Sequence, residues 1–180
     1  MGSRKSIKAR YGSISVKHAT ATHAGKLQHF LRLTDLRECM IQGSTPWRAL
    51  HAPLTIPEAE TFTALIGKIP ICMGGVVPLD ACEDATVGSI WLLGSSSVEE
   101  HARDFHKMVK DMVSYFQTQY DILENVVPTD HTRSIKWLAS LGFQFSPIPT
   151  IINGYDVVRF VRCASNIEVS FEDNERPASN

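Results

Sequence analysis

Two lone titratable side chains stand where they could move a proton. Glu124 interrupts the apolar run Ile122-Leu123-Glu124-Asn125-Val126-Val127, and a carboxylate becomes a general base when its surroundings tune its pKa. His131 follows the polar break Pro128-Thr129-Asp130, and imidazole titrates near neutrality. A lone polar residue of either kind is more often a surface group or a helix cap than a catalyst. A third feature is the run Gly94-Ser95-Ser96-Ser97, followed by Glu99 and Glu100. Helix N-termini attract anions, so these serines could donate to a phosphate. Two carboxylates beside an anion are repulsive, however. Helix capping by serine, with the glutamates complementing the helix dipole, accounts for the whole segment without a ligand.

Metal and thiol chemistry find little support. Cys39, Cys72, Cys82 and Cys163 form no CxxC pair, and a zinc site needs close Cys/His ligands. The histidine pairs His18/His23 and His101/His106 are five apart, whereas facing positions on a helix are three or four apart. The four cysteines read as reduced, mostly buried thiols.

The elements that must position these residues can be read from the pattern. With 180 residues the chain suits one domain with its own core. The expected limits are a basic arm at 1–12, a domain at 13–163 and an acidic tail at 164–180. The formal net charge is −1, which argues against a general nucleic-acid binder, since that needs a concentrated cationic surface. No run approaches the ~20 apolar residues of a membrane helix. The start MGSRKS fits a myristoylation pattern, a short motif that also arises by chance. No apolar segment of a signal peptide follows it, so a cytoplasmic location is expected.

A strand is expected at 13–18. A helix capped by Thr22 should carry Ala24, Leu27, Phe30 and Leu31, and a second should run from Asp35 to Ile41. The stretch from Gly43 to Pro57 reads as turn-rich and irregular. Two strands should meet near Gly67-Lys68, with Pro70 at an edge or a bulge. A strand at 86–93 precedes one long helix, whose apolar stripe is Val98, Ala102, Phe105, Val109, Met112, Phe116 and Tyr120. A strand at 122–127 leads to a helix capped by Thr129 or Asp130 and stopped at Gly142. Two strands then flank Asn153-Gly154. The fold class is mixed α/β (α+β), with a largely antiparallel sheet flanked by helices.

This order, together with the strand–break–helix–Leu-Gly-Phe stretch from Ile122 to Phe143, resembles the GNAT N-acetyltransferases. A narrower likeness is to the GNAT-like internal core proteins of T7-type short-tailed phages. It rests on LLGSS, on His101 to Phe105, on Leu123 to Val127 and on IKWLASLGF from Ile135 to Phe143. The resemblance implies that strands 86–93 and 122–127 are parallel neighbours that splay apart. Backbone groups of Leu92, Leu93 and Gly94 would then meet the acyl carbonyl and pantetheine arm of acetyl-CoA, as an oxyanion hole does. Ser95, Ser96 and Ser97 would face the pyrophosphate. The family's glycine-rich phosphate loop is reduced here to Gly94 alone. Its helix-opening Asn falls at His131, its small residue at Ser134, and its proton-donating Tyr at Leu138; leucine donates no proton. Glu124 or His131 would serve as the base toward an amine.

Two functions follow from the resemblance. One is a CoA-dependent N-acetyltransferase acting on a protein or a small amine. The other is a catalytically silent GNAT-fold phage protein that binds a host or virion protein, with Trp47 and the charged termini as contacts. Its place would be the host cytoplasm or the virion. Neither reading involves a specific nucleic acid or a membrane.

Overall fold

The computed structural model describes residues 7–82, 85–165, 167 and 171. The myristoylation pattern and nearly all of the acidic tail lie outside them. In chain order the elements are β1 (Arg10–Tyr11), β2 (Ile14–His18), α1 (Ala21–Leu27), α2 (Leu33–Ile41), α3 (Pro46–His51), β3 (Glu60–Ile66), β4 (Ile69–Cys82) and β5 (Ala85–Gly94). They continue with α4 (Ser97–Glu100), α5 (Ala102–Phe116), β6 (Ile122–Pro128), α6 (Thr132–Ser140), β7 (Gln144–Phe145), β8 (Thr150–Ile152) and β9 (Tyr155–Cys163). The strands form one sheet in the order β1-β2-β3-β4-β5-β6-β9-β7, with β8 also on β9. Only the β5–β6 pair is parallel among the described strands. The expected mixed α/β class with a mostly antiparallel sheet is what forms.

Strand alternation sorts side chains between the two faces. Leu92 and Ile90 pack against the cluster under α5 and α6, with Met108, Met112, Phe116, Leu138 and Phe143. Leu93 and Trp91 pack on the opposite face with Leu27, Leu50 and Cys39 from α1–α3. The hairpin at Gly67 forms with φ +60 there. The ladder shifts register between Ala64 and Leu65, beside Pro70; a bulge tolerates the missing N–H of proline inside a sheet. At the other hairpin Asn153 and Gly154 both have positive φ (49 and 81), as a two-residue turn between twisted strands requires.

Several expectations need correction. The cap of α1 is Thr20, whose Oγ1 accepts from the His23 amide at 3.2 Å. The helix ends at Leu27 and leaves Phe30 outside it, 68% exposed. The stretch 43–57 is not irregular. Thr45 caps α3 and Pro46 starts it, a position where the missing N–H costs nothing, and a 3-10 turn follows at Ala52–Thr55. The long helix is two helices, broken at His101 (φ −118, ψ 27). Apolar spacing carries across that break, because Val98 and Phe105 share one cluster, so periodicity could not reveal it. Tyr120 lies beyond the end of α5. The cap of α6 is His131, not Thr129 or Asp130. Within the segment expected as an arm, Arg10–Tyr11 pair with β2.

Candidate active site

The site begins where the sheet opens. β5 and β6 pair only at Val87↔Ile122, Gly88↔Leu123 and Ser89↔Glu124. β5 runs five residues further, to Gly94, and β6 four further, to Pro128. The Ser95 amide donates to the Ile71 carbonyl on the β4 side at 2.8 Å. By alternation, the backbone groups of Ile90, Leu92 and Gly94 therefore face β6.

Asn125 holds the split open. In a continued parallel ladder the Val126 amide would donate to the Ile90 carbonyl. Instead the Val126 amide donates to Asn125 Oδ1 at 2.8 Å, and Asn125 Nδ2 donates to the Ile90 carbonyl at 2.5 Å. A side-chain amide is thus interposed in the ladder. At the far end of the split, the Gly94 amide donates to Asp35 Oδ2 at 3.0 Å, and the Gly94 carbonyl accepts from the Arg32 amide at 3.0 Å. Asp35 is 2% exposed and also accepts two hydrogen bonds from the Arg32 guanidinium, at 2.8 and 3.0 Å. Between these two closures, Leu92 presents its N–H and C=O to the opening, beyond the end of the ladder.

A cavity of about 430 Å³ passes through this opening. Its inner wall is apolar, formed by Met112, Phe116, Leu138, Phe143 and Phe160. Its outer end carries Asp35, Glu38, Gln42, Ser44 and Arg48 from α2 and α3. Trp91 lines it too, and among the described residues the buried Trp91 Nε1 has no hydrogen-bond partner. A second cavity of about 240 Å³ lies against the start of α5 and α6. Leu92 and Ser134 line both cavities, as do Arg32 and Trp137. Trp137 Nε1 donates to His106 Nδ1 at 3.1 Å and its ring stacks on Phe105, so the indole is a wall between the two spaces.

At that junction α2 meets α6 through a chain of hydrogen bonds. His131 Nδ1 lies 3.0 Å from Glu38 Oε1, and His131 Nε2 lies 3.3 Å from Ser134 Oγ. Residues 131 and 134 are three apart at the start of a helix, which sets them on one face. Burial, with Asp35 nearby, pushes the Glu38 carboxyl above its usual range, against the opposing pull of His131 and Arg32. In the neutral tautomer that carries Nδ1–H toward Glu38, Nε2 is the acceptor that faces Ser134 Oγ. An acid, an imidazole and a hydroxyl in this order are the arrangement that activates an oxygen nucleophile.

The expected site residues separate into two groups. Leu92 and His131 come together beside the opening. Glu124 is tied to Arg159 by hydrogen bonds from both Nε and the terminal nitrogen, so it is an ion-pair partner. The Leu93 side chain packs on the α1–α3 face. Gly94 already has partners for its amide and carbonyl. Ser95 is buried, with both N–H and Oγ directed at the Ile71 carbonyl. Ser96 caps α4 without a side-chain hydrogen bond, and Ser97 begins that helix. The amides of Val98 and Glu99 bond to the Ser95 and Ser96 carbonyls, and Glu99 pairs with Arg133 at 3.1 Å. Within residues 94–99 the amides of Gly94, Ser95, Val98 and Glu99 are engaged and the one carboxylate, Glu99, is paired with Arg133, while Leu92 lies beyond the end of the β5–β6 ladder.

Sequence reasoning missed Asn125, Asp35 and Glu38. Asn125 carried a signal, as an amide in an otherwise apolar strand. Glu38 and Asp35 looked like ordinary polar positions of a short helix, and only the fold brings them to residues 131 and 94. Trp47 is 58% exposed and stacks on His51. Among the described residues no cluster of His, Cys, Asp and Glu could hold a metal ion, and no helix is long and apolar enough to cross a membrane.

Neither protein-family models nor curated proteins match the sequence. Solved structures do match the fold. A GCN5-related N-acetyltransferase from Kribbella flavida aligns with TM-score 0.64 at 14% identity, over 84% of this chain and 98% of its own. The spermidine N-acetyltransferase from Vibrio cholerae, in complex with CoA and spermine, aligns with TM-score 0.61 at 12% identity, over 84% and 95%. A ribosomal-protein-alanine N-acetyltransferase from Brucella melitensis aligns with TM-score 0.57 at 10% identity, over 83% and 99%. With a sheet that splits beside Leu92 and neighbours of this kind, the chain has the fold of the GNAT acetyltransferases.

Proposed function

We propose that this chain is an N-acyltransferase that takes its acyl group from a CoA thioester and passes it to a primary amine on a protein or small molecule. The observation that carries the reading is the Leu92 amide, held in the open split between closures at Asn125–Ile90 and Asp35–Gly94. A preorganised backbone donor in a site shielded from water stabilises a developing oxyanion. The thioester supplies an activated carbonyl. The chain's own groups supply the rest. Leu92 polarises the carbonyl, Met112 and Phe116 exclude water behind it, and His131, oriented by Glu38, accepts the amine's proton.

The test is the melting temperature with and without acetyl-CoA. A ligand of the native state stabilises by about 2.7 kcal/mol at a hundredfold excess over its dissociation constant. A dose-dependent rise, larger for acetyl-CoA than for CoA, is expected. No rise at millimolar acetyl-CoA overturns the reading.

A second reading is a silent GNAT-fold protein of phage origin that binds a host or virion protein. The engaged amides of Gly94, Ser95, Val98 and Glu99 favour it, because they leave fewer backbone donors for a pyrophosphate at this turn. Absence of any acetyl-CoA effect, with specific recovery of one partner on the tagged chain, would support it over the transferase.

A further inference from the structure

We infer that Ser134 is an acyl-accepting nucleophile, activated by His131 and oriented by Glu38. The inference uses the carbonyl site of the proposed transferase and in that respect rests on that reading. It extends to any activated acyl group, ester or thioester, that reaches the opening.

The argument is geometric. A hydroxyl becomes nucleophilic when a base accepts its proton and a third group holds that base in the right tautomer. Ser134 Oγ has His131 Nε2 at 3.3 Å, and His131 Nδ1 has Glu38 Oε1 at 3.0 Å. Glu38 is partly buried, as is His131, with side-chain exposures of 26% and 20%. The carboxylate comes from α2, whereas His131 is the N-cap of α6 and Ser134 lies in its first turn, so the tertiary fold brings Glu38 to a local His131–Ser134 pair. A cap would have the Ser134 or His131 side chain bonded to a free helix amide, whereas His131 makes no side-chain cap bond. The nucleophile and the Leu92 donor border the same two cavities. That places a base-linked hydroxyl and an oxyanion donor around one space, as acyl transfer needs.

The step balances. The Ser134 Oγ–H proton passes to His131 Nε2 as an oxygen–carbon bond forms to the acyl carbonyl. The bond from that carbon to the leaving oxygen or sulfur breaks, and His131 returns the proton to the leaving group. An ester on Ser134 remains. Water or an amine, losing its proton to His131, then attacks that ester and restores the hydroxyl.

The full-length chain is treated separately with p-nitrophenyl acetate and with acetyl-CoA, quenched in acid and mapped by mass spectrometry, while p-nitrophenolate release is followed. Expected is one acetyl group on Ser134, or sustained release that Ser134→Ala abolishes. Ser134→Cys should carry the label again, as a thioester. His131→Gln should slow labelling by about a hundredfold, the scale of general-base loss. Labelling by p-nitrophenyl acetate without labelling by acetyl-CoA supports the nucleophile and counts against the CoA donor. Neither label on Ser134 nor Ser134-dependent release overturns the inference and leaves the transferase reading standing. Labelling at an unchanged rate in His131→Gln also overturns it.

Discussion

The side-chain amide of Asn125 stands between β5 and β6, donating to the Ile90 carbonyl while its own oxygen accepts from the Val126 amide. It has the two functions of a peptide group, and it occupies the place of the next ladder bond. One side chain therefore ends the only parallel pairing in the described sheet and sets the width of the opening beside Leu92.

Asn125→Leu removes both bonds and leaves the Ile90 carbonyl and Val126 amide to find other partners. Leaving a buried polar group unsatisfied costs about 1–3 kcal/mol. The urea midpoint should fall accordingly. If the strands close on each other instead, stability is retained and the acetyl-CoA effect on melting disappears. A variant with unchanged midpoint and unchanged ligand response would contradict the role given to Asn125.

Asp35 closes the other end of the split, and it is almost fully buried against Arg32. Asp35→Ala strands the guanidinium and the Gly94 amide together. Breaking one partner of a buried pair costs about 3–5 kcal/mol, read as a lower denaturation midpoint. The exposed pair Arg37–Asp130 offers the contrast: Arg37→Ala should barely move the midpoint, since solvent screens such pairs.

Much of this architecture was legible in the sequence, and the unread part has a common cause. Alternation and turn chemistry located the hairpins at Gly67 and Asn153-Gly154. The family resemblance, not a local pattern, pointed to the strand pair 86–93 and 122–127 as the place where the sheet would open. What escaped was tertiary. Glu38 and Asp35 lie on a short helix about 90 and 60 residues from the groups they bind, and no local pattern encodes that distance. The kink at His101 escaped because apolar spacing continues through it. The partner of Glu124, Arg159, could not be read from the sequence because it comes from a neighbouring strand.

Gly75 tests the tightness of the sheet that frames the opening. A Cβ there would run into the Glu60 carbonyl oxygen, which is backbone and cannot swing aside as a side chain could. Gly75→Ala must displace a strand and should cost more than about 3 kcal/mol, the overpacking range and beyond. Soluble yield and thermal melting check this. Gly67→Ala meets no atom within 4 Å but sits at φ +60, so its smaller cost is conformational alone.

Tyr11 makes stability fall in alkali. Its hydroxyl donates to Asp111 at 2.9 Å, and burial with that carboxylate pushes its pKa from 10.0 up to about 12. The folded state thus favours the protonated phenol more than the unfolded state does. The contribution is complete below pH 10.0 and is lost as pH rises toward about 12. Tyr11→Phe should flatten the loss of melting temperature across that window and leave its slope near neutrality unchanged. An identical alkaline profile in the variant would contradict the assignment.

The most direct measurement is the amide resonance of Leu92 during titration with acetyl-CoA. A carbonyl seated in the split accepts a hydrogen bond from that N–H, so the resonance should shift downfield and saturate, with Leu93 on the closed β4 side moving less. A Leu92 amide that stays in place while acetyl-CoA reaches millimolar concentration would contradict the account.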